Sequence, residues 1–334
     1  MKRSWSSAPI LLAALVLLSS CAPQTVTVTA AAFDFMDTVS VVTLYERDAD
    51  AAEKVFEACR ALDDLVDMRD PSSEIARLNA SNGERTVISP DTEALLRAGV
   101  DAARVSDGLF DVTIGSVSAL WDFVNGVAPD ESTLADALSR VGIGNLTVGD
   151  GYASIINGGI ADLGGLTKGY ALDVVDELLA EQGVANALVN LGGSVLAIGS
   201  RPDGKQWRAG IQKPFGDADD LLGVITGDSI KIVTAGLYQR SFENDGRLYH
   251  HILDPRTGTP VETDVWSATI IADSGVWADA YSTMCVLFGS ARALDFVNAL
   301  DDVECVLALS DGSTLISDGI ASGEAGIAFA ASAE

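Results

Sequence analysis

Asn157-Gly158-Gly159-Ile160-Ala161-Asp162-Leu163-Gly164-Gly165-Leu166-Thr167-Lys168-Gly169-Tyr170 is the stretch that settles the fold class. Glycines let a backbone approach a ligand closely. A helix beginning near Thr167 would point free N–H groups at an anion, with the Lys168 charge beside them. The Gly-Lys-Ser/Thr order of a Walker A loop is absent, and no G-x-G-x-x-G follows a strand, which argues against a dinucleotide fold of the Rossmann type. A glycine-rich turn would account for the glycines but not for Asp162 and Lys168 flanking them, so the loop reads as a ligand contact.

Working outward, strands and helices do not alternate regularly. Upstream, Asp37–Glu46 alternates polar and apolar residues and predicts a strand, while Ala51–Val66 has the apolar spacing of a helix. Asp70-Pro71-Ser72-Ser73 opens a short helix carrying Glu74, Arg77 and Asn79, with Ser72 or Ser73 as N-cap. Pro90–Ser106 and Pro129–Val141 read as helices, Gly108–Ile114 as a turn into a buried segment, and Leu146–Ile156 as a hairpin. Downstream, Lys168–Gln182 is a helix closed by Gly183, and Ala187–Ile198 a buried strand containing Gly192-Gly193. Strands follow at Arg208–Gln212, Leu222–Thr226, Ile230–Thr234, Tyr249–Leu253 and Val265–Ala272. Ala278–Phe288 and Ser290–Ala299 read as helices, and Val303–Leu309 with Thr314–Ser317 as a closing hairpin. This order predicts an α+β fold, mixed and antiparallel sheets packed with helices in a single compact body. No short-period repeat or Pro- or Ser-rich linker divides it.

The chemistry concentrates in two further segments. Tyr249-His250-His251-Ile252-Leu253-Asp254-Pro255-Arg256-Thr257-Gly258-Thr259-Pro260 holds the only two histidines of the chain, so imidazole chemistry at neutral pH belongs here. His251 is the candidate general base, oriented by Asp254 or a neighbouring backbone group, with His250 on the opposite side of the strand. In Trp277-Ala278-Asp279-Ala280-Tyr281-Ser282-Thr283, Asp279 and Thr283 share one helix face. A carboxylate, a hydroxyl and a nearby carbonyl form an incomplete octahedral shell that Mg²⁺ tolerates, because it keeps waters and phosphate oxygens as its other ligands. The alternative is that Asp279 caps its helix and Thr283 bonds its own backbone. Asp111 lies in Gly108–Gly115, and Leu120-Trp121-Asp122-Phe123 follows; apolar groups beside one carboxylate suit a planar heterocycle, or ordinary core.

The first residues read as a secretory leader: Lys2 and Arg3, the apolar run Ile10–Leu18, then the lipobox Leu18-Ser19-Ser20-Cys21. The expectation is a signal peptide over 1–20, lipidation at Cys21, a tether or early strand over 21–32, and a catalytic domain over 33–334. Removing 1–20 takes Lys2 and Arg3 and no acids, moving the formal charge from −27 to −29. Such acidity argues against nucleic acid, and any phosphorylated ligand would need a metal and local cations for screening. Beyond Cys21 only Cys59, Cys285 and Cys305 remain, without C-x-x-C spacing, which is neither a disulfide framework nor a zinc site.

Seven segments occur in a recognisable order: Phe35-Met36-Asp37-Thr38, Arg69–Asn79, Gly108–Gly115, Asp162–Ala171, Asn190-Leu191-Gly192-Gly193, the double-histidine stretch and Ala278–Thr283. On these the chain resembles the ApbE family of FAD:protein FMN transferases, flavin-trafficking lipoproteins of the bacterial periplasm. The resemblance implies a T-fold-like architecture and Mg²⁺-dependent transfer of FMN from FAD to a Thr or Ser hydroxyl of a partner protein through a phosphoester, releasing AMP. By position it places Met36, Asp111, Asp162, Lys168, Ile252 and the Leu109-Phe110 backbone against FAD. Gly165 through its carbonyl, Asp279 and Thr283 would hold the metal, and His251 would be the base. It also sets Asn79 among the FAD-binding residues, at a position that influences whether FAD is hydrolysed or used for protein flavinylation, and Asn79 leaves both open. The implied partners are acceptor flavoprotein subunits, of the sodium-pumping NADH:quinone reductase or Rnf type or other exported flavoproteins. The implied location is the periplasmic side of a bacterial membrane, lipid-anchored, the inner membrane before the outer. Two rival readings are an FAD pyrophosphatase and an FAD-storing lipoprotein.

Overall fold

The structure, a computed structural model, describes residues 27–332 apart from 37, 46–48 and 218. Cys21 and the leader lie outside the described residues, as do Asp37 and Glu46 at the ends of the first expected strand. Two strands open the fold, β1 (Thr27–Ala32) and β2 (Ser40–Tyr45), followed by helices α1 (Ala49–Val66) and α2 (Glu74–Asn79). Next come β3 (Thr86–Val87), α3 (Pro90–Val105), α4 (Gly115–Ser118), α5 (Glu131–Leu138), the hairpin β4 (Leu146–Gly149) and β5 (Tyr152–Ile155), and α6 (Thr167–Glu181). The middle is all β: β6 (Ala187–Leu191), β7 (Ser194–Ile198), β8 (Trp207–Gln212), β9 (Leu221–Gly227), β10 (Ile230–Gly236), β11 (Ser241–Asn244), β12 (Arg247–His250) and β13 (Val265–Ala272). The chain closes with α7 (Gly275–Phe288), α8 (Ser290–Asn298), β14 (Val303–Leu309), β15 (Thr314–Ile316), α9 (Asp318–Ser322) and β16 (Ala328–Ala331).

An eight-stranded antiparallel sheet in the order β1-β2-β6-β7-β10-β13-β14-β15 is the frame. Its central strands are apolar on both faces because both are covered. Neighbouring residues therefore enter different cores: Ile270 and Cys305 join the main core, while Ile271 and Val306 join a second one. The main core packs the sheet against α1, α6, α7 and α8, with Leu172, Val175, Met284 and Val297 buried there. The second core seats the three-stranded sheet β16-β9-β8 on the other face through Trp207, Ile211 and Ile225. β11 and β12 pair only with each other. No helix among the described residues is long and apolar enough to cross a membrane.

Helices α6 and α7 cross at backbone contact. A Cβ on Gly169 would stand 2.1 Å from the Gly275 carbonyl oxygen, and one on Gly275 2.2 Å from that of Gly169. Only glycine at both positions permits this approach, and the crossing brings the first turns of both helices together.

Several expected elements differ. Ala187–Ile198 is a hairpin, β6 and β7, rather than one strand, because Gly192 and Gly193 take φ of 59° and 95° and turn the chain between two apolar runs. The strand expected over Tyr249–Leu253 ends at His250; Leu253 makes only an isolated bridge to Pro260. Thr314–Ile316 does not close the chain, since α9 and β16 follow, and β16 pairs with β9. Of the two readings for 21–32, a tether or an early strand, residues 27–32 take the second and form β1 along the edge of the large sheet. Cys59, Cys285 and Cys305 are buried and unbridged.

Candidate active site

The α6–α7 crossing builds the centre of the site. Asp279, one turn into α7, is 5% exposed, and its Oδ2 accepts from Gly169 N at 2.9 Å. Burial raises its pKa, opposed by the Lys168 charge and by hydrogen bonds from the Gly169 and Lys168 backbone. The expectation of free N–H groups at the start of α6 is therefore corrected: the carboxylate of Asp279 occupies them, as favoured at the positive end of a helix. Thr283 lies one turn further along α7. A Cβ on Gly165 would stand 3.8 Å from Thr283 Oγ1 and 3.1 Å from Phe110 Cε2, so the Gly165 backbone lies beside both.

Among the described residues no group of three or more His, Cys, Asp or Glu side chains could hold a metal ion. The oxygen donors at this crossing are the buried Asp279 carboxylate, the Thr283 hydroxyl one turn on, and the Gly165 backbone beside that hydroxyl. Such an all-oxygen, singly charged set fits a hard cation that fills its remaining positions with waters and phosphate oxygens. It is not a soft or zinc-like cage.

The loops carrying the other expected residues are fastened side by side. Ile114 and Ile160 form a parallel bridge, and Asp162 N donates to Val112 O at 2.7 Å. Asp162 Oδ2 accepts from Ser118 Oγ at 2.6 Å and Oδ1 from Gly164 N at 2.9 Å. Asp111 Oδ1 accepts from Thr113 N and Oγ1 at 2.8 and 2.7 Å. Asn79 reaches across from α2: its Nδ2 donates to Ala161 O at 3.0 Å and its Oδ1 accepts from Ala161 N at 2.7 Å. Its amide thus holds the loop next to Asp162, a positioning role rather than an open contact. Leu109 and Phe110 are buried, and Ser106 takes both of their N–H groups, through its carbonyl and its Oγ. Those two donors are not offered to a ligand.

Met36 adopts φ 53°, uncommon for a non-glycine residue, with its N–H bonded to Asp63 Oδ2 at 2.9 Å. Such held strain clusters at functional positions. Ile252 has its side chain in the main core and its carbonyl bonded by Val261 N, so little of its side chain is left for a ligand.

The β11–β12 hairpin delivers the histidines. His250 is buried with Nε2 3.1 Å from Val261 O, which assigns that nitrogen the proton. Burial pushes its pKa down to about 4. His251 follows the strand, its N–H bonded to Arg240 O at 3.1 Å, its Nδ1 buried without a hydrogen-bond partner. Burial, then the charges of Arg240, His250 and Lys168, lower its pKa to about 3. Lys168 thus lies within electrostatic reach of both His251 and Asp279. Asp254 does not orient His251. Arg256 takes its carboxylate through Nε at 2.9 Å and Nη2 at 2.6 Å, because a partner two residues away closes the pair locally.

Sequence reasoning missed Ser106, Ser118, Asp63 and Arg240. Ser118, Asp63 and Arg240 act on residues distant in sequence, Ser106 acts locally on Leu109 and Phe110, and none stands in a motif that would mark it. Two surface hollows, about 430 Å³ beside Pro90 and Arg97 and about 190 Å³ beside Lys231, share no residue with the site.

Comparison with known proteins bears on the family and the fold. Residues 36–307 match the ApbE family. An FAD:protein FMN transferase of Vibrio cholerae (Classical Ogawa 395) is 30% identical over 307 residues, covering 89% of this chain and 91% of the relative. One from Klebsiella pneumoniae (strain 342) is 29% identical over 283 residues, covering 83% and 88%. The crystal structure of the ApbE protein of Thermotoga maritima superposes with a TM-score of 0.78 at 30% identity, covering 88% of this chain and 97% of that one. The flavin transferase ApbE of Vibrio cholerae gives 0.78 at 25%, covering 88% and 98%. The fold and site define an antiparallel α+β protein built around an oxygen-donor centre. The chain belongs to the ApbE family.

Proposed function

We propose that this protein transfers FMN from FAD to the hydroxyl of a Ser or Thr on a partner protein, in a Mg²⁺-dependent reaction that releases AMP. The observation that carries the reading is the α6–α7 crossing, where the buried Asp279 carboxylate accepts from Gly169 N and the Gly165 backbone lies beside Thr283, one turn further along α7. The names of the relatives support the same reaction class. In the proposed step the acceptor oxygen forms a bond to the FMN phosphorus, the bond to the bridging oxygen breaks, and AMP leaves with that oxygen.

A bound divalent cation would be held by Asp279, Thr283 and Gly165 and would neutralise charge developing on the diphosphate. Lys168 adds a positive charge beside it, which an acidic chain otherwise lacks. His251 takes the acceptor proton. Burial holds the imidazole neutral, as a base must be, and the negative diphosphate of a bound dinucleotide would raise its basicity toward the working pH. Asn79 holds the Ala161-Asp162 backbone, and Asp63 holds Met36, so the flavin-facing loops are set before the ligand arrives.

The acceptors we propose are exported flavoprotein subunits such as those of the sodium-pumping NADH:quinone reductase and Rnf complexes. The leader and Cys21 support a periplasmic, lipid-anchored location. Incubating the protein with FAD, Mg²⁺ and an acceptor domain, then taking intact masses, tests the reading. A covalent FMN adduct on the acceptor is expected; release of free FMN alone, or unchanged FAD, would count for hydrolysis or storage instead.

A further inference from the structure

Helix α7 begins without a cap of its own. Ser274 at its N-cap position makes no side-chain hydrogen bond, although the first N–H groups of any helix need partners. The partner comes from α6. Asp173 accepts from Gly275 N at 2.7 Å through Oδ1 and from Val276 N at 2.9 Å through Oδ2. That carboxylate is itself held by Lys231 on β10, whose side chain is 11% exposed. Lys231 Nζ lies 2.9 Å from Asp173 Oδ1 and 2.9 Å from Asp176 Oδ2, and donates to the Asp273 carbonyl at 2.8 Å. An ammonium has three protons, and three acceptors surround it.

These groups join α6, β10 and the residues just before α7. The same two helices cross at Gly169 and Gly275, and Asp279 and Thr283 follow Gly275 by one and two turns. Fixing the first turn of α7 fixes its rotation, and each residue of slippage would turn both side chains by about 100° away from Gly165.

We infer that Asp173, paired with Lys231, is a positioning residue for the divalent-cation site: it sets the start of α7 so that Asp279 and Thr283 meet the Gly165 carbonyl. The inference rests on the metal role proposed above for those three residues. A cap that served stability alone would be expected to change melting temperature and leave cation affinity untouched.

The test is Mn²⁺ binding to the full-length, FAD-loaded protein, read by electron paramagnetic resonance, beside FAD affinity measured without metal. Asp173→Ala is expected to weaken Mn²⁺ binding roughly 10- to 100-fold, the range found when an outer partner of a metal ligand is removed, with FAD affinity unchanged. Asp173→Asn, which keeps one carbonyl acceptor, is expected to recover part of the loss. Parental Mn²⁺ affinity in Asp173→Ala, whatever its melting temperature, overturns the inference. If Asp173→Ala does not fold, Asp173→Asn and Lys231→Met carry the test, and parental affinity in both overturns it. Asp279→Asn separates the two levels. If it binds Mn²⁺ as the parent does, the metal assignment itself fails and takes this inference with it; if it alone loses Mn²⁺, only the role of Asp173 is refuted.

Discussion

Gly169→Ala tests the crossing on which the site depends, because two effects of opposite sign compete. Alanine is the better helix former, by about 1 kcal/mol. Against that, the new methyl would lie 2.1 Å from the Gly275 carbonyl oxygen and 2.6 Å from Asp279 Cβ. Relief to an ordinary contact requires the helices to part by about 1 Å, and overpacking of this kind costs about 1–3 kcal/mol, more where backbone must move. Backbone is what must move here, so the larger cost applies and the net change is a loss of about 2 kcal/mol. For a chain of this size that lowers the melting temperature by on the order of 3 °C. Gly275→Ala meets the Gly169 carbonyl at 2.2 Å and should cost about as much. Since both methyls open the same gap, the double variant should lose less than the sum of the singles. Thermal unfolding of the three variants, with turnover measured at saturating FAD, reads both consequences. A Gly169→Ala protein that melts at or above the parent would refute the close crossing, and strictly additive losses would refute the shared strain.

Further tests address single residues. His250 has its pKa pushed below its unfolded value, to about 4. Between pH 6.5 and 4 the unfolded chain therefore binds a proton that the fold does not, and stability falls as pH falls, by about 2 kcal/mol at pH 5 from this residue. Urea unfolding at pH 7.5 and pH 5 should show that difference shrinking in His250→Gln; an unchanged difference would remove His250 as its source. Asn79→Ala strips both bonds from the Ala161 backbone and should cost about 1–3 kcal/mol while weakening FAD binding, measured by flavin fluorescence. Asp279→Ala should abolish turnover with a smaller effect on FAD affinity, and full activity after chelation and Mg²⁺ restoration would contradict the metal assignment. His251→Ala should bind FAD but transfer slowly, and an unchanged rate across neutral pH would eliminate the base.

Which parts of this were legible in the chain follows from the range of the forces involved. Ser73 was readable as a helix cap because its partner, Ala76 N, is three residues away, and the structure shows that bond at 2.9 Å. The hairpin over Leu146–Ile156 was readable for the same reason, since its turn lies in the short Gly149-Asp150-Gly151 run. Gly192-Gly193 was not, since apolar runs on both sides look like one continuous strand until a sheet gives each arm its own neighbour. The proposed orienting role of Asp254 failed on a local competitor, as Arg256 reaches the carboxylate before any imidazole can.

The site residues themselves were named from ordered motifs, whereas what holds them was invisible. Asp279 and Lys168 are far apart in sequence and share no pattern. They meet because two glycines let α6 and α7 touch and because Asp173 caps a helix it does not belong to. Motif residues report the atoms that could touch a ligand; their supports are chosen by geometry and can be any residue type with an acceptor in the right place. The consequence is asymmetric. Replacing a motif residue should remove one chemical function at an intact site, whereas replacing Gly169 or Asp173 should leave every donor present but mutually misplaced. At the proposed cation site that difference will register in cation affinity more than in flavin affinity, because a small hard ion demands near-ideal placement of its ligands and a long flexible dinucleotide does not.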